Sequence, residues 1–244
     1  MPTIEEWRTF YDGWSGKDPA VASTGIAMPE QDFVALGTAI AGQLALGGRE
    51  TVLDVGCASA TLTSRWAAHA ARVVGIDFSA RLVSEARMRH ANRQIAFAVA
   101  EAGRLPFEAA SFDAVVCFNV LLSLPDHDAA RRAIREVLRV ARPGARIVLG
   151  SLPDVHLKSR FFAHLAAVAP WHRRLGTRVK NVLLRRRVHS RPTRILWFDV
   201  DALVRELERA GCRVEVHDDP RFANYHIYRK TLVVVAPVIV EVGV

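Results

Sequence analysis

Short β-branched runs alternate along this chain with stretches of helical period, the order expected of a parallel sheet whose strands are joined by crossover helices. Strands are predicted over Thr51 to Gly56, Arg72 to Asp77, Ile95 to Val99, Phe112 to Phe118, Ala145 to Ser151, Cys212 to His217 and Thr231 to Val238. Ala129, Ala133, Ile134, Val137 and Leu138 keep one apolar face at spacings of three and four, and Arg142-Pro143-Gly144 stops that helix. Leu203, Val204, Leu207 and Ala210 repeat the pattern, with Asp199 as N-cap and Gly211 as stop. An earlier helix, from about Gln31 to Leu46 and closed by Gly47-Gly48, precedes the first strand. The last two strands are joined by DDPRFANYHIYRK, which has no helical period and suits an antiparallel connection rather than a crossover. The expected architecture is therefore an α/β three-layer sandwich with a mostly parallel seven-stranded sheet and an antiparallel last strand.

Length and charge refine this picture. The 244 residues, half of them hydrophobic, suffice for one α/β domain with a full core and a modest insertion. We divide that single domain, 1–244, into an N-terminal helical cap (1–48), a core (49–154), a basic helical insert (155–197) and a C-terminal helix and strand pair (198–244). The net charge of +8 is unevenly spread. The stretch 155–197 holds eleven Lys or Arg and no acid, against 22 basic and 25 acidic residues in the rest. A near-neutral domain thus carries one basic segment.

Several classes are disfavoured. Cys57, Cys117 and Cys212 lie far apart, inside or beside predicted strands, and read as buried thiols rather than a disulfide framework or a zinc site. The histidines show no metal-ligand spacing, so no metal is expected. There is no apolar run of membrane-spanning length, and MPTIEEWRTFYDGW lacks the basic start and apolar stretch of a secretory signal, so a cytoplasmic protein is expected.

The candidate chemistry lies in TVLDVGCASATLTSRWAAHA, Thr51 to Ala70. An apolar strand ends in a turn of small residues, Gly56, Cys57, Ala58, Ser59 and Ala60, that lets a ligand approach the backbone at the tip of a central strand. A helix beginning near Ser59 or Thr61 would turn unpaired N–H groups toward a ligand carboxylate. About twenty residues on, Asp77 ends the second strand, where a carboxylate accepts hydrogen bonds from two ribose hydroxyls, and Phe78 follows, placed to lie against an adenine. Asp77 and Ser79 compete for the alternative role of capping the next helix. A nicotinamide-dependent reductase, with Asp77 and Arg81 at a ribose or its phosphate, is the rival nucleotide reading. That class expects GxGxxG, and the turn reads GCASAT.

VLDVGC, GIDFS, AGRLPFEAASFDAVVCFNVLLSLPD and LRVARPGARIVLG resemble, in order and spacing, successive motifs of class I S-adenosylmethionine-dependent methyltransferases of Rossmann-like fold. The likeness covers about Val52 to Gly150 and is strongest to the small-molecule branch that includes quinone-biosynthesis enzymes. It implies S-adenosylmethionine as cofactor. It also implies that Asp54 orders the turn and meets the methionine amino group, that Gly56 is the close-approach glycine, and that Glu101 receives the adenine amino group beside the Ala102 backbone. Asn119 is implied to line the methionine moiety and the substrate mouth. Related enzymes often cover the cofactor with an N-terminal aromatic residue, and within Trp7, Phe10, Tyr11 and Trp14 the best match is Tyr11. Trp7 and Phe10 are expected to dock the leading helix on the sheet. The chain departs from the family at Ala58 and Ala60, where glycine is usual, and at Leu122 and Ser123, which replace a pair of histidines.

On the substrate side, methyl transfer from a sulfonium is an in-line displacement governed by alignment and exclusion of water, and a base is needed only if the acceptor must lose a proton. His156, just beyond the fifth strand, is the candidate base. Tyr225, His226 and Tyr228 could face the same mouth. The basic insert occupies the position where this fold commonly carries a substrate lid, so a small, lipid-linked or carrier-linked anionic acceptor is expected, with peripheral contact at an anionic membrane as a related case. A looser similarity of the C-terminal third to methyltransferases of bacterial glycan biosynthesis favours a glycan, a natural-product intermediate remaining open. The competing class is an RNA-binding methyltransferase or a non-catalytic S-adenosylmethionine-binding adapter that uses the arginines on phosphates.

Overall fold

The structure, a computed structural model, describes residues 4–13, 30–90, 94–168, 195–218 and 228–238. Helix α1 (Ile4–Asp12) and helix α2 (Glu30–Leu44) precede β1 (Thr51–Val55). Then follow α3 (Thr63–Trp66), β2 (Arg72–Asp77), α4 (Ala80–Arg89), β3 (Ile95–Val99), β4 (Phe112–Phe118) and α5 (His127–Val140). The chain continues through β5 (Ala141–Pro153), α6 (Lys158–Val168), α7 (Val200–Arg209), β6 (Arg213–Asp218) and β7 (Arg229–Val235).

The seven strands form one sheet in the order β3-β2-β1-β4-β5-β7-β6. Pairs from β3 through β5 are parallel, and β7 runs antiparallel to both β5 and β6. Period-two alternation buries both faces of the central strands, which makes the fold three-layered. Leu53, Val55, Val115 and Cys117 pack with Ile134, Val137, Leu203 and Leu207 of α5 and α7. Val52, Val73, Ala114 and Val116 face Phe33, Leu36, Ile40 and Trp66.

Local signals account for the helix boundaries. Asp126 caps α5 by accepting from the Ala129 N–H at 2.7 Å, and Asp199 caps α7 through Ala202 N–H at 2.8 Å. Gly211, at φ +83, ends the latter as expected. Two stretches differ from the sequence expectation. The segment Arg142–Gly144 was expected only to stop a helix, yet it lies within β5, which already pairs Ala141 with Phe112 before the register shifts. The helix expected from Ser59 or Thr61 begins only at Thr63 and lasts four residues, because positive φ at Ala58 and Ala60 keeps the preceding backbone out of the right-handed helix. No helix among the described residues is long and apolar enough to cross a membrane.

Candidate active site

The tips of β3, β2, β1 and β4 border a cleft of about 220 Å³. Its floor is the turn after β1. Gly56 and Cys57 both donate their N–H to the Ile76 carbonyl, at 2.8 and 2.9 Å, which draws the turn toward β2. Gly56 has φ +78, and a Cβ there would stand 2.3 Å from Val120 Cγ2. Ala58 and Ala60 adopt φ +48 and +60, the left-handed region expected of the glycines they replace. An L-residue in that region costs about 1–2 kcal/mol, and Ala58 lines the cleft.

Two buried carboxylates organise the turn. Asp77 accepts from the Ala58 N–H at 3.0 Å through Oδ2 and from the Ser79 N–H at 2.9 Å through Oδ1. Ser79, not Asp77, caps α4, its hydroxyl accepting from the Leu82 N–H at 3.2 Å. The competition between those two residues for the cap is thus settled, and Asp77 faces the cleft. Burial raises its pKa to about 6; the two backbone bonds oppose the rise and nearby Asp12 adds to it. Asp54 accepts from Thr63 Oγ1 at 2.6 Å. Burial lifts its pKa to about 7, opposed by the Thr63 bond and assisted by Asp77.

Helix α1 lies across the cleft. Tyr11 meets Phe78 edge to face at 5.9 Å between ring centroids, and its hydroxyl is 3.0 Å from Ser123 Oγ. Arg8 pairs with Glu101 at 3.4 Å, and Asp12 accepts a hydrogen bond from Ser79 Oγ. Ser123, noted in the sequence only as the loss of a usual histidine, is thus a polar partner for Tyr11.

The structure brings Gly56, Ala58, Asp77 and Phe78 together on the cleft with Glu101, Ala102, Asn119 and Tyr11. Asp54 and Cys57 are buried and do not line it. All three cysteines are free and buried, and burial pushes the Cys117 thiol up to about 12. His156 also stands apart from the cleft. Its side chain is 60% exposed and its Nε2 lies 3.7 Å from Asp199 Oδ1, while its N–H donates to Asp154. Trp14, Tyr225, His226 and residues 169–194 of the basic insert lie outside the described residues. Tyr228 is 2% exposed and packs with Phe161 and Trp197, at centroid distances of 4.5 and 5.6 Å.

Sequence reasoning missed Thr63, Arg8, Arg132, Ser151 and Arg229. Thr63 was legible in principle as a hydroxyl one helical entry beyond the Asp54 turn. Arg229 gave no local signal, since its neighbours at the site come from β4 and β5.

The cleft at the carboxyl ends of parallel strands, with an acid at the tip of β2, defines a doubly wound nucleotide-type α/β protein. Residues 53–149 match the family described as a methyltransferase domain. A demethylmenaquinone methyltransferase of Mycobacterium sp. (strain KMS) is 30% identical over 69% of this chain and 70% of its own length. The O-methyltransferase cnsE of Penicillium expansum is 35% identical over 44% of this chain and 40% of its own. Among solved structures, the N-methyltransferase NodS of Bradyrhizobium japonicum WM9, in complex with S-adenosylhomocysteine, superposes with a TM-score of 0.63 at 16% identity, covering 95% of this chain and 98% of that one. This chain belongs to the class I S-adenosylmethionine-dependent methyltransferases, whose cofactor is S-adenosylmethionine. It spans 40 to 50% of the length of the first curated relatives it matches.

The residues present fit an adenosyl ligand. The Gly56 cradle would be filled by a Cβ, the buried Asp77 carboxylate is held by two backbone N–H groups, and an aromatic ring and a further acid follow on the same wall.

Proposed function

We propose that this chain transfers the methyl group of S-adenosylmethionine to an oxygen of a small or carrier-linked anionic acceptor, such as a glycan or natural-product intermediate. The observation that carries the reading is the placement of Asp77, buried, braced by the turn and open to the cleft between Gly56 and Glu101. In this reading Asp77 takes the ribose hydroxyls and Phe78 lies on the adenine. Glu101 and the Ala102 backbone meet the adenine amino group, with Arg8 as the competing partner of Glu101. Gly56 and Ala58 admit the methionyl part, Asn119 lines its far end, and Tyr11 covers the cleft. Asp54 and Cys57 act from behind, holding the turn.

Bound there, the cofactor supplies an electrophilic methyl on a sulfonium. The protein's part is to align an acceptor at the β4 and β5 tips and to exclude water, which can account for much of the rate of an in-line displacement. No general base is assigned, and His156, set apart from the cleft beside Asp199, is given no role in the transfer. The anionic acceptor is supported by the eleven cations that follow β5 in the sequence, two of which, Lys158 and Arg160, begin α6.

S-adenosylhomocysteine should stabilise the folded chain by about 2.7 kcal/mol at a hundredfold excess over its dissociation constant, because it binds the native state alone. A thermal-shift titration checks this, and an unmoved melting temperature at saturating ligand sinks the reading. Ala58→Gly offers a finer check. Relief of about 1 kcal/mol of left-handed strain is offset by about 0.8 kcal/mol of lost methyl burial and by chain entropy, so stability in urea should change by less than about 1 kcal/mol. Calorimetric affinity for S-adenosylhomocysteine should rise about two- to fivefold as the methyl leaves the wall. Weaker binding would mean that the methyl is a ligand contact.

A further inference from the structure

Behind the β4 end of the cleft lies a buried polar cluster of which the methyl-transfer reading uses only Asn119. Arg229, the first residue of β7, is 4% exposed. Its Nη1 donates to Asn119 Oδ1 at 3.0 Å and to Ser151 Oγ at 2.6 Å, and its Nη2 donates to the Tyr228 hydroxyl at 3.2 Å. Ser151 Oγ in turn donates to Asn119 Oδ1 at 3.2 Å.

The backbone is bent to make this meeting. Asn119 and Ser151 both have left-handed φ, +62 and +65, at neighbouring strand tips. Ser151 sits where the register of β5 against β7 shifts between Leu149 and Leu152. Strained positions of this kind persist only where the surrounding structure holds them, and they concentrate at functional sites.

The chemistry of the cluster fixes an orientation. A guanidinium can only donate hydrogen bonds, so the atom of Asn119 facing Arg229 and Ser151 is its carbonyl oxygen. The amide nitrogen is then the end turned away from them, and Asn119 is also a wall of the cleft. Strand order says which part of a ligand meets it. A ligand running from Glu101 past Asp77 and Gly56 crosses the tips of β3, β2 and β1, and its end opposite the adenine arrives at β4, where Asn119 stands.

Building on the proposed function, we infer that Arg229 is a positioning residue: by holding Asn119 Oδ1 it presents the Asn119 amide donor to the carboxylate at the methionyl end of the bound cofactor. Arg229 itself touches no ligand. It acts through Asn119, and Ser151 shares the task.

Two probes read this without any acceptor. S-adenosylhomocysteine carries the methionyl amine and carboxylate; 5′-methylthioadenosine keeps the adenosyl thioether and lacks both. By calorimetry, Arg229→Met should weaken S-adenosylhomocysteine about tenfold, the scale of one hydrogen bond to a charged group, and 5′-methylthioadenosine by less than about twofold. Arg229→Lys, which restores a buried donor, should recover S-adenosylhomocysteine affinity to within about threefold of wild type. Asn119→Gly suits the left-handed backbone and leaves the guanidinium in place, so it should reproduce the selective loss and carries the test if Arg229→Met fails to fold. Equal loss of both probes, or no loss in either variant, overturns the inference alone. A wild-type protein that binds neither probe overturns the proposed function and this inference with it.

Discussion

Affinity for S-adenosylhomocysteine is expected to fall as the pH drops below about 6, the pKa to which burial raises Asp77. Ribose hydroxyls donate to an ionised carboxylate, and a protonated one loses half of that acceptor capacity. The decline should approach tenfold per pH unit, about 1.4 kcal/mol, once Asp77 is mostly protonated. Asp77→Asn keeps the shape but loses the charge, and at pH 8 it should weaken binding by about 1–3 kcal/mol. Any remaining pH dependence should then belong to Asp54, whose pKa falls once the neighbouring Asp77 charge no longer raises it.

The ligand-free protein should respond in the opposite sense. Both carboxyls have folded pKa values, about 7 and about 6, above their ordinary 3.8, so the native state binds protons more tightly than the unfolded chain. Stability then rises as the pH falls from 8 toward 5, since the buried charges are neutralised in the fold first. Calorimetric titrations and ligand-free melting curves across that range check the pair. An affinity indifferent to pH in the wild type, or an unaltered affinity in Asp77→Asn, would place the ribose elsewhere.

Gly56→Ala should be the most damaging single change in the turn. The new methyl would stand 2.3 Å from Val120 Cγ2, and the backbone there has φ +78. Overpacking costs about 1–3 kcal/mol and the left-handed alanine about 1–2 kcal/mol more, so a loss of about 2–5 kcal/mol is expected in denaturant unfolding. Ligand binding should be lost as well, because Val120 is itself a wall of the cleft. Adding Val120→Ala should return the steric part and leave the backbone part. A Gly56→Ala protein as stable as wild type would show that the turn does not have this conformation.

The layered fold was legible because each strand and helix carries its own signal. Period-two runs buried on both faces mark β1 and β4, and an apolar stripe marks α5 and, opened by Asp199, α7. The cleft walls were legible for a related reason. In a doubly wound sheet the residues ending parallel strands face one crevice, so strand boundaries sufficed to place Gly56 and Asp77 there, while Glu101 and Asn119 were implied by the motif resemblance.

What the local pattern left undecided depended on which hydrogen-bond partner each side chain finds in the folded chain. Whether Asp77 or Ser79 capped α4 turned on a difference of two residues, and the Leu82 N–H chose the serine. His156 looked like a rim residue in the chain, yet the turn it occupies points it at Asp199 and solvent.

By itself, then, the sequence determined a mostly parallel α/β sheet with an acid at the tip of β2, because hydrophobic period and strand-end chemistry are local properties, and its motifs carried the resemblance to methyltransferases. Only the tertiary structure decided that Ala58 and Ala60 take up left-handed backbone in place of glycine, since burial against β2 and the bond from Ala58 to Asp77 hold them there. It alone, too, brought Arg229 from the last strand to Asn119 and Ser151, because β7 enters the sheet antiparallel beside β5 and delivers its first residue to the tips where the cleft opens.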